Sequence, residues 1–248
     1  MSAVIRVEGL RKSFQIPSAH RDTVREHVFG MLRPRRFETL QVLDGISFSV
    51  ERGETFGIMG RNGSGKSTLL KIVAGIYLPD GGSVGLDAPL TPILELGLGW
   101  NAELTARDNI FLTGTAMGMT LREIHAELDG ILAFAELERF VDTPLKFFSS
   151  GMGARLAYAI AFRAVREVLL LDEIFAVGDA AFVQKCQTRY RELHAAGHTM
   201  LLVSHASETI AEFCTRAILI DGGRVLLDGT GTNVAAAYDE LMRAAAAR

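Results

Sequence analysis

Eight consecutive residues, Gly60-Arg61-Asn62-Gly63-Ser64-Gly65-Lys66-Ser67, fit the pattern G-x-x-x-x-G-K-[ST]. Each residue type has a task in binding a chain of phosphates. Glycines let the backbone curl closely around the polyanion. Backbone N–H groups at a helix start point toward it, and the helix dipole adds to the attraction. Lys66 brings a mobile positive charge to the terminal phosphates. The Ser67 hydroxyl is a ligand for Mg2+, and Thr68 is placed to reach the phosphate nearest the sugar. A second acidic motif follows about a hundred residues later. Val168-Leu169-Leu170-Leu171 is an apolar run ending in Asp172 and Glu173. Asp172 can hold Mg2+, and Glu173 can polarise an attacking water as general base. Together the two motifs imply hydrolysis of a nucleoside triphosphate.

Both motifs need a scaffold that delivers strand ends and a helix start to one place. Residues 54–59 read as a buried strand entering the glycine-rich turn, and 66–75 have helical spacing, with Leu69, Leu70, Ile72 and Val73 apolar. Strand-like runs occur at 3–7, 46–50, 167–171, 199–203 and 217–220. Asp221-Gly222-Gly223 predicts a turn into 224–227, hence a hairpin. The middle, about 105–165, is mostly helical, and the chain ends in an alanine-rich helix at about 233–246. Strands alternating with helices predict an α/β fold with a largely parallel core sheet, an antiparallel part and a helical insertion.

Bulk properties narrow the classes. The 248 residues are 48% hydrophobic and 22% charged, as expected of a globular protein with a real core. A net charge of −3 gives no global reason to bind nucleic acid. Cys186 and Cys214 lack metal-ligand spacing and are too few for a disulfide framework. The start of the chain does not read as a signal peptide. No apolar run approaches the roughly 20 residues that span a bilayer, so any membrane role passes through a partner.

With the segments between and after them, these motifs make the chain resemble the ATP-binding-cassette (ABC) ATPases over nearly its whole length. Phe148-Ser149-Ser150-Gly151-Met152 occupies the place of the family signature Leu-Ser-Gly-Gly-Gln, just before the acidic strand. The resemblance implies ATP and Mg2+ as ligands and two ATPase subunits meeting head to tail. Ser149 and Gly151 then touch the γ-phosphate of the other subunit. Asp179, in Ala176-Val177-Gly178-Asp179, matches the loop at the dimer seam. His205, in Val203-Ser204-His205, matches the switch histidine at the γ-phosphate. Phe14 sits where the family keeps an aromatic ring on adenine. Two positions depart from the pattern: Ser150 and Met152 replace Gly and Gln in the signature. Residues 91–104 hold no glutamine where the family senses Mg2+ and water, and Glu95 is the nearest match there.

The departures resemble one branch, the ATPases that export lipid-linked cell-envelope polysaccharides such as O-antigen, teichoic acid or capsule. That likeness implies a homodimer working with two copies of a polytopic permease, peripheral to the cytoplasmic face of the plasma membrane. It also implies a single domain over 1–248, with a helical subdomain at approximately 90–160 and a branch-type insertion at 16–41. No C-terminal carbohydrate-binding domain is expected. The insertion carries a net charge of +2, and Val24, Val28, Met31 and Leu32 fall at helical spacing. A short amphipathic helix near the membrane face is expected there. Leu94, Leu96, Leu98 and Trp100 are expected to line the groove for a cytoplasmic helix of the permease. Two alternatives remain open: a transporter for another cargo, and a soluble ABC ATPase. Against the latter, translation types carry two cassettes and repair types a long coiled coil.

Overall fold

A computed structural model describes residues 3–17, 37–93, 99–172 and 179–246. Nine strands and seven α-helices follow one another in these segments. The strands are β1 (Ala3–Pro17), β2 (Phe37–Glu51), β3 (Thr55–Gly60), β4 (Gly81–Leu86), β5 (Leu90–Ile93), β6 (Val168–Asp172), β7 (Thr199–Val203), β8 (Arg216–Asp221) and β9 (Arg224–Gly229). The helices are α1 (Lys66–Val73), α2 (Ala106–Ala116), α3 (Leu121–Ala135), α4 (Ser150–Arg163), α5 (Ala180–Ala195), α6 (Ser207–Phe213) and α7 (Gly231–Ala246). The central sheet has the order β5-β6-β7-β3-β8-β9, parallel except for β9. A second, antiparallel sheet has the order β2-β1-β4.

The central strands are continuous apolar runs because both faces of their sheet are covered. In β6, Val168 and Leu170 join one core with Phe56, Ile58, the apolar side of α1 and the antiparallel sheet. Leu169 and Leu171 face the other way, into a core with Tyr158, Phe162, Phe182 and Val234 from α4, α5 and α7. α1 is therefore held between the two sheets, and the residue that opens it has little freedom to move. A third core gathers Ile110, Ile124, Ile131, Leu156 and Ile160 from α2, α3 and α4. These three helices come between β5 and β6, which pair directly with each other.

The expected α/β class and parallel core are observed. The β8–β9 hairpin closes through Gly222 and Gly223, both at positive φ (54° and 76°), the requirement of a tight primed turn. The first two strands are longer than expected. Their outer halves, Ser13–Pro17 against Phe37–Gln41, pair with each other and are mostly exposed. The ends of the 16–41 insertion, residues 16–17 and 37–41, belong to these strands. The proposed amphipathic stripe, Val24 to Leu32, lies outside the described residues.

Candidate nucleotide-binding site

β3 is buried along its whole length and ends at Gly60. The chain then turns through Arg61, Asn62 and Gly63 and starts α1 at Lys66. Gly65 caps that helix in the left-handed region (φ 105°) without a side-chain hydrogen bond. The N–H groups of the first turn thus lack the usual capping oxygen. A Cβ at Gly65 would lie 2.7 Å from Leu43 Cδ2 and 2.8 Å from the Val42 carbonyl oxygen. A Cβ at Gly60 would lie 2.1 Å from the Ile220 carbonyl oxygen. The loop is pressed by β2 at one end and β8 at the other, so only glycine fits these two positions. Arg61 anchors it further with two 2.9 Å bonds from its guanidinium to the Asp221 carboxylate at the end of β8.

Lys66 is 6% exposed, and its ammonium donates to the carbonyls of Gly60 (2.7 Å) and Arg61 (3.0 Å). A cation this buried needs acceptors, and here the loop's own carbonyls serve. The Ser64 hydroxyl is also buried and has no hydrogen-bond partner. An uncapped helix start, a buried ammonium and an orphan hydroxyl in one loop fit an oligophosphate. Ser67 is exposed and Thr68 half-buried on the first turn of α1. Asn62 and Gly63 are exposed at the turn's tip.

The strand register brings the acidic end to the same edge. Asp172 pairs with Val203 in β7, and Val203 pairs with Ile58 in β3. Asp172 thus lies two strand spacings, about 10 Å, from the strand that feeds the loop. His205 follows two residues beyond Val203 and is exposed there. Ser204 between them is buried; its N–H donates to the Ile58 carbonyl (3.4 Å) and its hydroxyl accepts from the Ala206 N–H (3.0 Å). Glu173 and Glu95 lie outside the described residues. Among the described residues, no group of three or more His, Cys, Asp or Glu side chains forms a metal cage. Magnesium does not need one, since it binds through one or two protein oxygens plus substrate phosphates. A strand-end carboxylate and a helix-start hydroxyl at one edge fit that requirement.

Phe14 is half-buried on β1, outside the hydrophobic cores. The Tyr77 ring meets it edge-on at 5.9 Å, and the Lys12 ammonium lies 5.4 Å from its centroid. Ser149 caps α4, its hydroxyl accepting from the Met152 N–H at 3.2 Å, and it is exposed together with Ser150. Gly151 has open space beside it, the nearest atom to an added Cβ being 3.9 Å away. Asp179 caps α5 by accepting from the Phe182 N–H at 2.9 Å. Arg155 of α4 also donates to Asp179, and to Glu136 at 2.7 Å. The Phe182 amide, then Arg155, hold the Asp179 carboxyl below the ordinary carboxylate range. Trp100 is half-buried. Its indole N–H donates to Thr113 (3.0 Å), and its ring lies against Gly153 of α4. Arg61–Asp221, Arg155 and the Lys12–Asp80–Tyr77 group around Phe14 were not foreseen from sequence. Asp221 read only as a turn residue, and the other partners are too distant in the chain to leave a local signal.

The profile of the family described as "ABC transporter" matches residues 43–176. An "ABC transporter protein AbcA" of Aeromonas salmonicida is 42% identical over 240 residues, 96% of this chain and 77% of that protein. The "O-antigen export system ATP-binding protein RfbB" of Klebsiella pneumoniae is 35% identical over 248 residues, 98% of this chain and 100% of that protein. Among solved structures, the ATP-binding cassette MJ0796, a dimer in a post-hydrolysis state with ADP and phosphate bound, superposes with a TM-score of 0.73. That match covers 91% of this chain and 98% of the cassette at 22% identity, a likeness of fold.

Proposed function

Since the chain belongs to the ABC transporter family, we propose that it is the ATP-hydrolysing subunit of a transporter exporting a lipid-linked cell-envelope polysaccharide. The observation that carries the ATPase reading is the buried ammonium of Lys66 beside an orphan Ser64 hydroxyl, at an uncapped helix start. The O-antigen export subunit that aligns along its whole length supports the cargo class.

In this reading Gly60, Asn62, Gly63, Ser64, Gly65 and Lys66 wrap the β- and γ-phosphates. Thr68 meets the α-phosphate and Phe14 stacks on adenine. Lys66 leaves the Gly60 and Arg61 carbonyls for phosphate oxygens, and the Ser64 hydroxyl gains its missing partner. Ser67 and Asp172 would hold Mg2+, which neutralises phosphate charge when bound; Glu95 is assigned to the same site. Glu173, the next residue after Asp172, takes a proton from water as general base, and His205 donates to the γ-phosphate. Two copies close head to tail, and Ser149 and Gly151 of each complete the γ-phosphate site of the other. Asp179 lies at that seam. The helices between β5 and β6 form the subdomain that meets two copies of a membrane permease, and the subunit sits on the cytoplasmic face. No described helix is long and apolar enough to cross a bilayer.

A phosphate-release assay on the purified chain tests the chemistry. Glu173→Gln should bind ATP and lose turnover at least a hundredfold; wild-type release from that variant would remove Glu173 as the base. The cargo is tested in cells. Deleting the gene should strip one surface glycan and trap its lipid-linked precursor inside, and an unchanged surface would reject the polysaccharide reading. Trp100→Ala should weaken coupling to transport while sparing ATP binding. The alternative of a non-transport ATPase predicts co-purification with soluble partners and no polytopic membrane protein.

A further inference from the structure

Among the charge-bearing clusters outside the phosphate loop are Arg155 with Glu136 and Asp179, Arg216 with Asp228, and Asp80 with Lys12 and Ser13. The third combines the densest bonding with a direct bearing on the site. Asp80 stands just before β4, at the end of the segment leading out of α1, the helix that begins at the phosphate loop. Its N–H donates to the Arg11 carbonyl (2.9 Å), the point where β4 begins to pair with β1. One carboxylate oxygen accepts from the Lys12 ammonium at 2.8 Å. The other accepts from both the N–H and the hydroxyl of Ser13, each at 2.7 Å.

Beyond Arg11, β4 no longer pairs with β1. Asp80 takes over there, supplying to Ser13 the acceptor that a neighbouring strand would otherwise provide. The next residue is Phe14. The Lys12 that Asp80 holds is the same ammonium that lies over the Phe14 ring. Three residues before Asp80, Tyr77 abuts the ring edge, and Lys71 of α1 lies 5.7 Å from the Tyr77 centroid. The Phe14 ring is thus met by two groups, the Lys12 ammonium held by Asp80 and the Tyr77 ring, which Lys71 in turn links to α1. The carboxyl of Asp80 is lowered to about 2, by Lys12 first and then by Ser13, as befits an acceptor saturated with donors. A carboxylate accepting three hydrogen bonds is a stiffer link than a loop contact.

We infer that Asp80 is a positioning residue for the nucleotide base: it locks the strand bearing Phe14 to the segment leaving the phosphate-loop helix and so sets the spacing between base platform and phosphate cradle. This rests on the reading of Phe14 as the adenine platform. Asp80 touches no part of the nucleotide. Its effect is carried by the ring, and it therefore acts on molecules that have a base and not on bare oligophosphate. Beyond this clamp, the exposed Gln15–Pro17 end of β1 pairs with β2.

The test is a titration of the purified chain with ATP and with tripolyphosphate, in wild type, Asp80→Ala, Phe14→Ala and the double variant. Loss of a stacked base weakens binding about tenfold or more. Asp80→Ala should weaken ATP about tenfold and leave tripolyphosphate unchanged. In the Phe14→Ala background the same substitution should add nothing, because the group it acts through is gone. An Asp80→Ala chain that binds ATP as wild type does, or that loses ATP and tripolyphosphate equally, overturns the inference. So does an effect that persists without Phe14. If Phe14→Ala alone binds ATP normally, the platform reading itself fails, a separate outcome that takes the inference with it. Thermal unfolding checks the fold. Should Asp80→Ala lose its transition, Asp80→Asn carries the same comparison: it keeps an acceptor for Ser13 and removes the ion pair with Lys12.

Discussion

At the start of α1 the capping residue is Gly65, left-handed at φ 105°, with no side chain to accept from the first turn. At the start of α4 it is Ser149, extended at φ −69°, whose hydroxyl accepts from the Met152 N–H. The first start is buried between two sheets and holds a cation. The second is exposed, carries no cation in its first turn and satisfies one of its own donors. A phosphate arriving at α1 meets a helix start without a side-chain cap, in a loop held between β2 and β8. One arriving at α4 must compete with a cap already made. The difference supports the proposal that one chain binds nucleotide alone and that a second copy is needed to hydrolyse it. The phosphate loop is complete within the chain. The signature helix is finished locally, and its open face has value only when another surface brings a phosphate to it.

The largest effect should come from filling the space at α1. Gly65→Ala combines a strained φ with contacts of 2.7 and 2.8 Å to Leu43 and Val42. Lys66→Ala removes the only cation in the loop's core. Each should weaken ATP binding at least a hundredfold, measured by fluorescent-nucleotide titration. Gly63→Ala tests whether space or φ matters more. Its φ is +79° but nothing lies within 4 Å of an added Cβ. Backbone strain alone should then cost about 1 kcal/mol of stability and leave ATP affinity within threefold of wild type. If Gly63→Ala is as damaging as Gly65→Ala, the loop is governed by conformation and the packing account fails.

An intermediate effect is expected at α4. Ser149→Ala removes a helix cap, worth about 1 kcal/mol. It should leave ATP binding to the isolated chain unchanged and lower turnover about a hundredfold. Mixing Ser149→Ala with Lys66→Ala subunits should restore part of the activity, since one mixed dimer then carries an intact loop facing an intact signature. Activity no higher than that of the separate variants would break the contrast between the two helix starts.

The residues that made the fold legible are those whose burial leaves a local pattern. The apolar run 168–171 and the alternation at 46–50 announced strands, and the glycine pattern at 60–65 announced a turn between a strand and a helix. β4 left no such trace because three of its six residues are glycine. Nor did β5, a four-residue strand that carries Pro92 and, among the described residues, pairs only with β6. The outer ends of β1 and β2 are mostly exposed, with Ile16, Phe37 and Leu40 among the exposed apolar residues, so apolar spacing gives no sign of burial there. At the site, residue types and spacing brought Gly60, Lys66 and Asp172 into view, because each motif is continuous in the chain. The Asp80 clamp spans 67 residues and the Arg61–Asp221 pair spans 160, and only the folded chain joins them. Glu173 and Glu95 rest on their motifs alone.

The smallest expected effect bears on how firmly the exposed side of the comparison is held. Arg155 of α4 reaches both Asp179, which caps α5, and Glu136, which sits in the left-handed region (φ 60°) at the end of α3. Glu136 is also met by Lys185 of α5 at 3.4 Å, so one carboxylate joins three helices. These side chains are partly exposed, and solvent weakens each pair. Arg155→Ala should therefore lower Tm by only about 2 °C. Asp179's carboxyl lies below its ordinary value in the fold, so the stability it contributes is present above the unfolded carboxylate range and is lost as pH falls through the lowered one. Part of that lowering comes from Arg155. The wild type and Arg155→Ala should then differ most near neutral pH and converge in acid, as unfolding followed from pH 7 down to about pH 2 can show. A difference in Tm that holds constant across that range would mean that Arg155 acts through packing on Phe182, whose ring lies 5.4 Å from its guanidinium, and not through the carboxylate.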